Sequence, residues 1–379
     1  MKYYIISGEA SGDMHGANLI TELRAKDTTA QIRCWGGDKM QAAGATVVKH
    51  YKTLAFMGFV EVIKNLPTIL TNISFCKRDI EVFAPDCIIY IDYPGFNLRI
   101  AKWAKAKNYT NIYYISPQVW AWKQSRVNLI KQVVHKMLVI LPFEKPFYQR
   151  FNFEVTYVGH PLLDELNKYQ QEFNKMDFLQ RNNLTQQPII ALLAGSREQE
   201  VKNMLQQMLI AGKRISTHQL IIAGAPSLSA EFYTSCLTEF GIASNDIKII
   251  YNQTYDILQA AEVAMVTSGT ATLETALIGT PQVVCYKANV VSYYIARQLI
   301  KVKYISLVNL IADKLVVKEL IQHHMNANEI YAELNTLLTD KNYYATMKTN
   351  YAELVQLLGN VGASNNAAQH VVNYLANKN

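Results

Sequence analysis

Cysteine is scarce in this sequence and forms no recognisable motif. The five cysteines lie far apart, and no two of them make a C-x-x-C pair: Cys34, Cys76, Cys87, Cys236 and Cys285. This pattern excludes a disulfide scaffold and a zinc ribbon, and it is typical of proteins that work in a reducing compartment.

Long hydrophobic runs are also missing. The apolar run at the amino terminus ends at Ser7, which is too early for the apolar core of a signal peptide. No run of about 18 apolar residues occurs without an interrupting charge or proline, so we expect no membrane-spanning helix. The sequence predicts a cytoplasmic protein and leaves attachment to a membrane surface open.

Several cofactor and metal motifs are absent. The loop after the first predicted strand is not G-x-G-x-x-G, so the dinucleotide fingerprint fails. The chain has no G-x-x-x-x-G-K-[ST], which disfavours ATP hydrolysis, and it has no D-x-D. His323 and His324 are adjacent, so they point to different sides of a helix. We therefore expect neither a metal ion nor a cofactor.

The charge is unevenly distributed along the 379 residues. Lys and Arg number 37 and Asp and Glu number 30, yet residues 1–160 alone carry 20 basic and 12 acidic side chains. A basic first half suggests an anionic partner, either nucleic acid or acidic lipid, and a solvated basic face is the alternative. Nucleic acid is the weaker choice, because the chain has no RNP1 signature, metal-linked finger or dense Lys/Arg run.

Composition and pattern predict a folded α/β protein of two or three domains. Half of the residues are hydrophobic, which is enough for sizeable cores. Short β-branched or aromatic runs alternate with longer helical stretches, and such alternation predicts parallel sheets covered by helices. We predict strands at 2–6, 31–35, 87–91, 112–116, 137–141, 155–158, 188–193, 219–223, 247–250, 263–266 and 282–285. Between the two series, the polar stretch 163–187 is the predicted interdomain segment, and the chain after 326 is predicted to be helical.

In the first half, the loops after two predicted strands hold candidate catalytic carboxylates. Glu9 and Asp13 lie in the glycine-rich stretch 7–16. Asp92 follows the hydrophobic strand 87–91, at the end where catalytic groups of parallel sheets collect. The alternatives are a tight turn with a capping aspartate and an Asp92 that only binds backbone amides.

The next loop is rich in aromatic residues. The stretch 116–123, SPQVWAWK, contains Gln118, Trp120 and Trp122. Aromatic rings beside polar donors suit a sugar or an amphiphile, and a tryptophan-rich core is the alternative. Asn97 is expected to cap the helix that follows Asp92.

In the second half, two loops predict a nucleotide-diphosphate site. Each follows a strand and opens a helix, whose backbone amides hold anions. The arginine of the first loop adds a guanidinium fork for a phosphate, and the glutamate after the second loop suits two ribose hydroxyls. Ordinary helix capping is the alternative for each. The residues expected at this site are Gly195, Ser196, Arg197, Ser268, Gly269, Thr270 and Glu274.

The chain carries seven motifs in a fixed order: SGEASGD (7–13), IDYPGFN (91–97), SPQVWAWK (116–123), LPFEKPFY (141–148), GHPL (159–162), AGSREQEV (194–201) and SGTATLE (268–274). Together they resemble the lipid-A-disaccharide synthases of Gram-negative bacteria. The resemblance runs from residue 5 to about residue 322.

The resemblance implies a fold and a reaction. The fold is α/β of the GT-B type, with two Rossmann-like doubly wound domains facing across a cleft and C-terminal helices crossing back to the first domain. The expected domains are 1–165 for the acceptor and membrane, 185–345 for the UDP-sugar, and 346–379 for the C-terminal helices. The reaction is a metal-independent, inverting transfer that joins UDP-2,3-diacylglucosamine to 2,3-diacylglucosamine 1-phosphate (lipid X) through a β-1,6 bond and releases UDP. The family works at the cytoplasmic face of the inner membrane.

The resemblance also suggests roles for individual residues. Asp92 is the candidate general base for the 6-hydroxyl of the acceptor, and Glu9 and Asp13 are further active-site groups. Asn309 and Gln322 are expected to line the donor site. The residues expected to contact the acceptor are Met57, Asn97, Gln118, Trp120 and Trp122. Met57 lies in the apolar stretch 54–70, which predicts either an amphipathic surface that touches anionic lipid or acyl chains, or a buried helix.

Three other functions remain as alternatives. Two are UDP-sugar enzymes of the same fold, a lipid-linked peptidoglycan glycosyltransferase and a UDP-N-acetylglucosamine 2-epimerase, the second of which needs no acceptor lipid. The third is a non-catalytic protein that binds a membrane surface or nucleic acid, which leaves the phosphate-type loops and Asp92 unexplained.

Overall fold

The fold was analysed in a computed structural model, which describes residues 1–53, 66–170, 173–243, 247–289, 293 and 302–378. The chain divides into two compact units. The first consists of Met1–Asp164 together with Asn360–Asn379, and the second of Glu165–Gly359.

The first unit is built on a parallel seven-stranded sheet in the order β3-β2-β1-β4-β5-β6-β7. Its strands are β1 Lys2–Ile6, β2 Gln31–Gly36, β3 Thr46–His50, β4 Cys87–Ile91, β5 Thr110–Tyr114, β6 Lys136–Val139 and β7 Thr156–Tyr157. Its described helices are α1 Ala10–Lys26, α2 Asp38–Ala42, α3 Leu66–Phe83, α4 Pro94–Ala106, α5 Arg126–Val133, α6 Glu144–Gln149 and, at the boundary of the units, α7 Pro161–Gln170. Every residue of β4 and β5 is buried, because helices cover both faces of the sheet.

The second unit repeats this plan with six parallel strands in the order β10-β9-β8-β11-β12-β13. Its strands are β8 Ile189–Leu193, β9 Gln219–Gly224, β10 Lys248–Tyr251, β11 Val263–Thr267, β12 Gln282–Tyr286 and β13 Glu319–Ile321. Its described helices are α8 Lys175–Arg181, α9 Glu198–Lys213, α10 Ala230–Glu239, α11 Thr254–Ala260, α12 Thr270–Ile278, α13 Leu307–Ala312, α14 Ala327–Thr339 and α15 Lys341–Leu358. The prediction of two Rossmann-like, doubly wound α/β domains is confirmed.

The last two helices belong to different units. α15 packs against α12, α13 and α14 of the second unit. The final helix, α16 (Ala363–Ala376), packs against α1 in the first unit and buries Ala367, Val371 and Leu375 there. The structure therefore differs from the expected C-terminal segment 346–379, since residues up to 359 lie with the second unit.

The predicted strands are present, with shifts at their ends, and two further strands were not predicted. β3 and β13 lie at sheet edges and are only partly buried, so they lack the continuous apolar run that marks a buried strand. The first helix begins at Ala10, so Asp13 lies within it and does not precede it. The alternation of strands and helices also predicts a helix at 291–302, which lies almost wholly outside the described residues.

Candidate active site

The sheet topology groups the candidate loops. Strand order reverses between β1 and β4 in the first unit and between β8 and β11 in the second. At such a switch point the two flanking loops diverge, and ligands of doubly wound sheets bind there, beyond the carboxyl ends of the strands. The loops after β1 and β4 hold Glu9 and Asp92, and the loops after β8 and β11 hold the two phosphate-type sequences.

Asp92 is presented by an unusual turn. Asp92 and Tyr93 both have left-handed backbones, with φ of 41° and 47°. Two side-chain donors hold this turn, since the Tyr113 hydroxyl and the Asn97 amide both donate to the Asp92 carbonyl oxygen. Pro94 opens α4 directly afterwards. Strain of this kind persists only where the surroundings enforce it, and it is common at active sites.

The Asp92 carboxyl is suited to proton transfer. Burial and, after it, the charge of Glu9 raise its pKa to about 6, while a hydrogen bond from the Tyr93 amide works in the opposite direction. Glu9 itself is exposed. The loop that carries Glu9 touches the Asp92 turn, because a Cβ at Gly8 would lie 2.5 Å from the Tyr93 ring. A pKa near the working pH is what a general base requires.

Asp13 does not face this turn. Its carboxylate accepts the backbone N–H groups of Gly37 at 2.7 Å, and of Lys39 and Met40 at 3.1 Å each. These bonds tie α1 to the start of α2, and the side chain is almost fully buried. The geometry gives Asp13 a structural task, and its catalytic role stays a prediction.

Asn97 does not cap α4, because the helix starts at Pro94 and Asn97 lies inside its first turns. The side-chain amide donates to the carbonyl oxygens of Asp92 at 2.8 Å and of Ile91 at 3.3 Å. Asn97 is fully buried. It therefore shapes the Asp92 turn, and contact with an acceptor stays a prediction.

The aromatic loop after β5 lies beside Asp92, since the Asp92 amide donates to the Ile115 carbonyl. Gln118 is exposed and Trp122 is 39% exposed, whereas Trp120 is buried with its ring edge-on to Phe143. Trp120 thus fits the alternative of a core tryptophan. Met57 lies outside the described residues.

One buried carboxyl near this loop was not identified from the sequence. Glu144, which opens α6, accepts the amides of Ile140 and Leu141 at 3.2 and 2.9 Å. Burial raises its pKa to about 7. The surrounding motif, LPFEKPFY, follows a predicted strand, and nothing else in it indicated that Glu144 would be a buried carboxyl group.

In the second unit, the two phosphate-type loops line one cavity of about 440 Å³. Seven of the nine residues predicted for the UDP-sugar site line it, and they are joined by Leu193, Glu200, Ala223, Gly224, Ala225, Pro226, Thr254, Thr267 and Ala271. The cavity lies at the switch point of the sheet, so topology and sequence motifs agree on its position.

Two helix N-termini open into this cavity. α9 begins after Arg197 and α12 begins after Gly269, and neither N-cap residue makes a side-chain capping bond. Ser268 is engaged elsewhere, because its hydroxyl donates to the Ile305 carbonyl at 3.1 Å. Helix N-termini with open amides attract anions through both hydrogen bonds and the helix dipole.

Glu200 occupies part of the first phosphate-type loop. Its carboxylate accepts the Ser196 amide at 3.0 Å and lies 3.7 Å from the Arg197 guanidinium. Gly195 has a left-handed backbone with φ of 115°, and a Cβ there would lie 2.6 Å from Glu200 Oε2. Glu200 was not predicted, although its spacing from Arg197 on one helix face was a usable signal.

Glu274 lies one turn into α12 and faces the same cavity. Burial raises its pKa to about 7, and a hydrogen bond with the Tyr255 hydroxyl works in the opposite direction. A carboxyl group in either protonation state can bind hydroxyl groups, which matches its predicted task at a ribose.

The other two predicted donor-site residues are engaged with backbone. Asn309 is fully buried; it accepts the amides of Val316 and Val317 and donates to the Val317 carbonyl and the Glu319 carboxylate. Gln322 pairs with both backbone groups of Ala288. Neither residue lines the cavity, so their contact with a donor stays a prediction.

No three His, Cys, Asp or Glu side chains of the described residues form a group that could hold a metal ion. No described helix has the length and apolar character needed to cross a bilayer.

Solved structures share this fold at low sequence identity. A UDP-GlcNAc 2-epimerase from Neisseria meningitidis, bound to UDP-GlcNAc, superimposes with a TM-score of 0.67 at 15% identity, over all of both chains. The calicheamicin glycosyltransferase CalG4 gives a TM-score of 0.63 at 14% identity, covering 99% of this chain and 98% of that one. These likenesses concern the fold alone.

Sequence comparison is more specific. A lipid-A-disaccharide synthase from Syntrophus aciditrophicus is 38% identical over 370 residues, covering 96% of this chain and 95% of the relative. Another from Nitrosococcus oceani is 38% identical over 377 residues, covering 99% and 96%. The family model described as lipid-A-disaccharide synthetase matches residues 3–373. The chain therefore belongs to the lipid-A-disaccharide synthetase family.

Proposed function

We propose that this chain is an inverting glycosyltransferase that makes the β-1,6-linked lipid A disaccharide 1-phosphate. The donor is UDP-2,3-diacylglucosamine, the acceptor is 2,3-diacylglucosamine 1-phosphate, and UDP is released. Family membership over residues 3–373 supports this reaction.

The first unit supplies the base. The Asp92 carboxylate takes the proton of the acceptor's 6-hydroxyl as that oxygen attacks the anomeric carbon of the donor. The new carbon–oxygen bond forms on the face opposite the departing diphosphate, so the configuration inverts. General-base assistance of this kind contributes roughly 10²–10⁴-fold to the rate.

The second unit receives the leaving group. The bond between the anomeric carbon and the diphosphate oxygen breaks, and its electron pair leaves with UDP. Arg197 and the open amides at the starts of α9 and α12 stabilise the charge that develops, while Glu274 binds the ribose. Fixed donors aimed at developing charge are among the largest contributions to catalysis.

The observation that carries the proposal is the 440 Å³ cavity between two uncapped helix N-termini, with a carboxyl group one turn away. Each of the two phosphates of UDP would meet a helix N-terminus there, and the ribose would meet the carboxyl group of Glu274. The same donors would make a metal ion unnecessary. We place the enzyme in the cytoplasm at the inner-membrane surface, since residues 1–160 carry an excess of 8 positive charges that suits anionic lipid.

The test is release of UDP from UDP-2,3-diacylglucosamine, with and without lipid X, in the presence of EDTA. We expect release that requires lipid X and survives EDTA. Release without lipid X would favour an enzyme that acts on the UDP-sugar alone. Retained lipid binding with no release under any condition would favour a non-catalytic protein.

One substitution tests the assignment of Asp92 as the base. Asp92→Asn should abolish turnover while the affinity for UDP is unchanged, because Asp92 lies in the other unit from the UDP cavity. Turnover near the wild-type rate in this variant would remove Asp92 from the base role.

A further inference from the structure

Two cations gather over one exposed tryptophan in the first unit. Lys123 Nζ lies 4.6 Å and Arg126 Cζ 5.4 Å from the centre of the Trp122 ring. The ring is 39% exposed. Cation–π contacts at exposed sites contribute modestly, so this arrangement holds the cations near solvent without neutralising them.

Neither cation is neutralised by a carboxylate. Among the described residues, no Asp or Glu oxygen lies within ion-pair distance of Lys123 or Arg126. Lys123 also has a left-handed backbone, with φ of 51°. A lysine held in a strained conformation beside a second unpaired cation is unfavourable on its own, and an anion bound to both would relieve the repulsion.

The pair lies at the edge of the sheet that carries Asp92. β4 and β5 are neighbours, with Ile91 opposite Tyr114, so the loops after them start side by side. The charge of Arg126 acts on Tyr113, whose hydroxyl donates to the Asp92 carbonyl. An anion at this pair would therefore sit beside the group that we propose as the base.

We infer that Lys123 and Arg126, held over Trp122, form a subsite for the phosphate monoester of the acceptor. This rests on the proposed function and adds to it a reason for selecting phosphorylated acceptors. The acceptor places its reacting hydroxyl and its phosphate on one sugar, so a base and a cation pair on adjacent loops match the two ends of the same molecule. The guanidinium supplies two parallel donors and the ammonium a point charge, a combination that suits a phosphate.

The test compares two acceptors, lipid X and 2,3-diacylglucosamine without the phosphate, in neutral detergent free of phospholipid. The variants are Lys123→Gln and Arg126→Gln, and the control is Lys131→Gln, which removes the same charge from an exposed position further along α5. We expect each variant to lower kcat/KM for lipid X by about 10-fold while leaving the unphosphorylated acceptor and UDP affinity unchanged. The control should match the wild type.

Other outcomes overturn the inference. Equal losses of kcat/KM with both acceptors, or no loss with either, would show that Lys123 and Arg126 do not bind the acceptor's phosphate. The same assay is also run with acceptor in phosphatidylglycerol vesicles, and a loss seen there but not in neutral detergent would assign the pair to membrane headgroups. If Arg126→Gln does not fold, the exposed Lys123→Gln decides alone. A wild-type chain that releases no UDP with either acceptor would overturn the proposed function as well.

Discussion

Single residues at the Asp92 turn act on one another through charge and strain. Glu9 and Asp92 lie on loops that follow neighbouring strands, and Gly8 lets the Tyr93 ring pack against the loop that carries Glu9. Burial and the Glu9 charge both favour the protonated form of Asp92. The pH dependence of the reaction should therefore report on this pair.

We expect kcat/KM to rise with pH through an acid limb centred near 6, because the base must be ionised. Glu9→Gln removes a negative charge that raises the pKa of Asp92, so the limb should move to lower pH. The measurement is a pH profile of UDP release at low substrate. Glu22→Gln is the control. Glu22 lies in α1, the helix that follows Glu9, and its substitution should leave the acid limb in place. A limb that stays near 6 in Glu9→Gln would contradict the coupling.

Gly195 should be intolerant of a side chain. Gly195→Ala puts an L-residue at φ of 115° and a Cβ 2.6 Å from Glu200 Oε2, so the loop must shift. Backbone strain of this kind costs about 1–3 kcal/mol. The affinity for UDP, measured by titration calorimetry, should therefore fall roughly 10-fold or more. Gly241→Ala is the matched control, since it has φ of 72° with nothing within 4 Å. Equal UDP affinity in the two variants would rule out this explanation.

Among secondary-structure elements, carboxylates join loops to the helices that follow. Glu144 holds the amides of the turn before α6, and Glu319 on β13 accepts the amides of Ile305 and Ser306 ahead of α13. A carboxylate can satisfy several amides at once, which suits loops at the carboxyl edge of a sheet. The burial of Glu144 makes its ionised form costly.

Glu144 should make stability depend on pH. Burial raises its pKa from 4.5 to about 7, so its contribution is greatest below pH 4.5 and is lost as pH rises through 7. Between pH 5 and pH 8, the wild type should lose about 2 kcal/mol more unfolding free energy than Glu144→Gln, measured by urea unfolding. Glu154→Gln, at an exposed position, should behave like the wild type. Parallel pH dependence in all three proteins would contradict this assignment.

For the whole molecule, the two units have separate cores, and the chain returns to the first unit only with α16. Val371 on α16 packs in the same core as Ile5 on β1 and Leu19 and Leu23 on α1. The stability of the first unit therefore depends on the last residues of the sequence.

Val371→Asp should destabilise the first unit selectively. It places an unpaired carboxylate in that core, a change that costs several kcal/mol. Hydrogen exchange should show lost protection in β1 and β4 and unchanged protection in β8 and β11. Gln369→Asp, at an exposed position of the same helix, is the control. Equal loss of protection in both units would show that they unfold together.

The sequence by itself determined the fold class, most strands and the position of the cavity between the two phosphate-type loops. Fully buried parallel strands require continuous apolar runs, and loops that open onto helix N-termini require glycine and small residues. Both are local patterns, so they can be recognised without the fold. The edge strands β3 and β13 lack the apolar pattern and were missed.

Only the tertiary structure decided how polar side chains are used. Asp13 and Asn97 belong to two of the sequence motifs and Asn309 was expected at the donor site, yet most of their hydrogen bonds go to backbone groups that the fold brings close. Glu200 and Glu144 likewise accept backbone amides, from Ser196 and Leu141 respectively. A residue type states which bonds a side chain can make, whereas its partners depend on which segments the fold brings together.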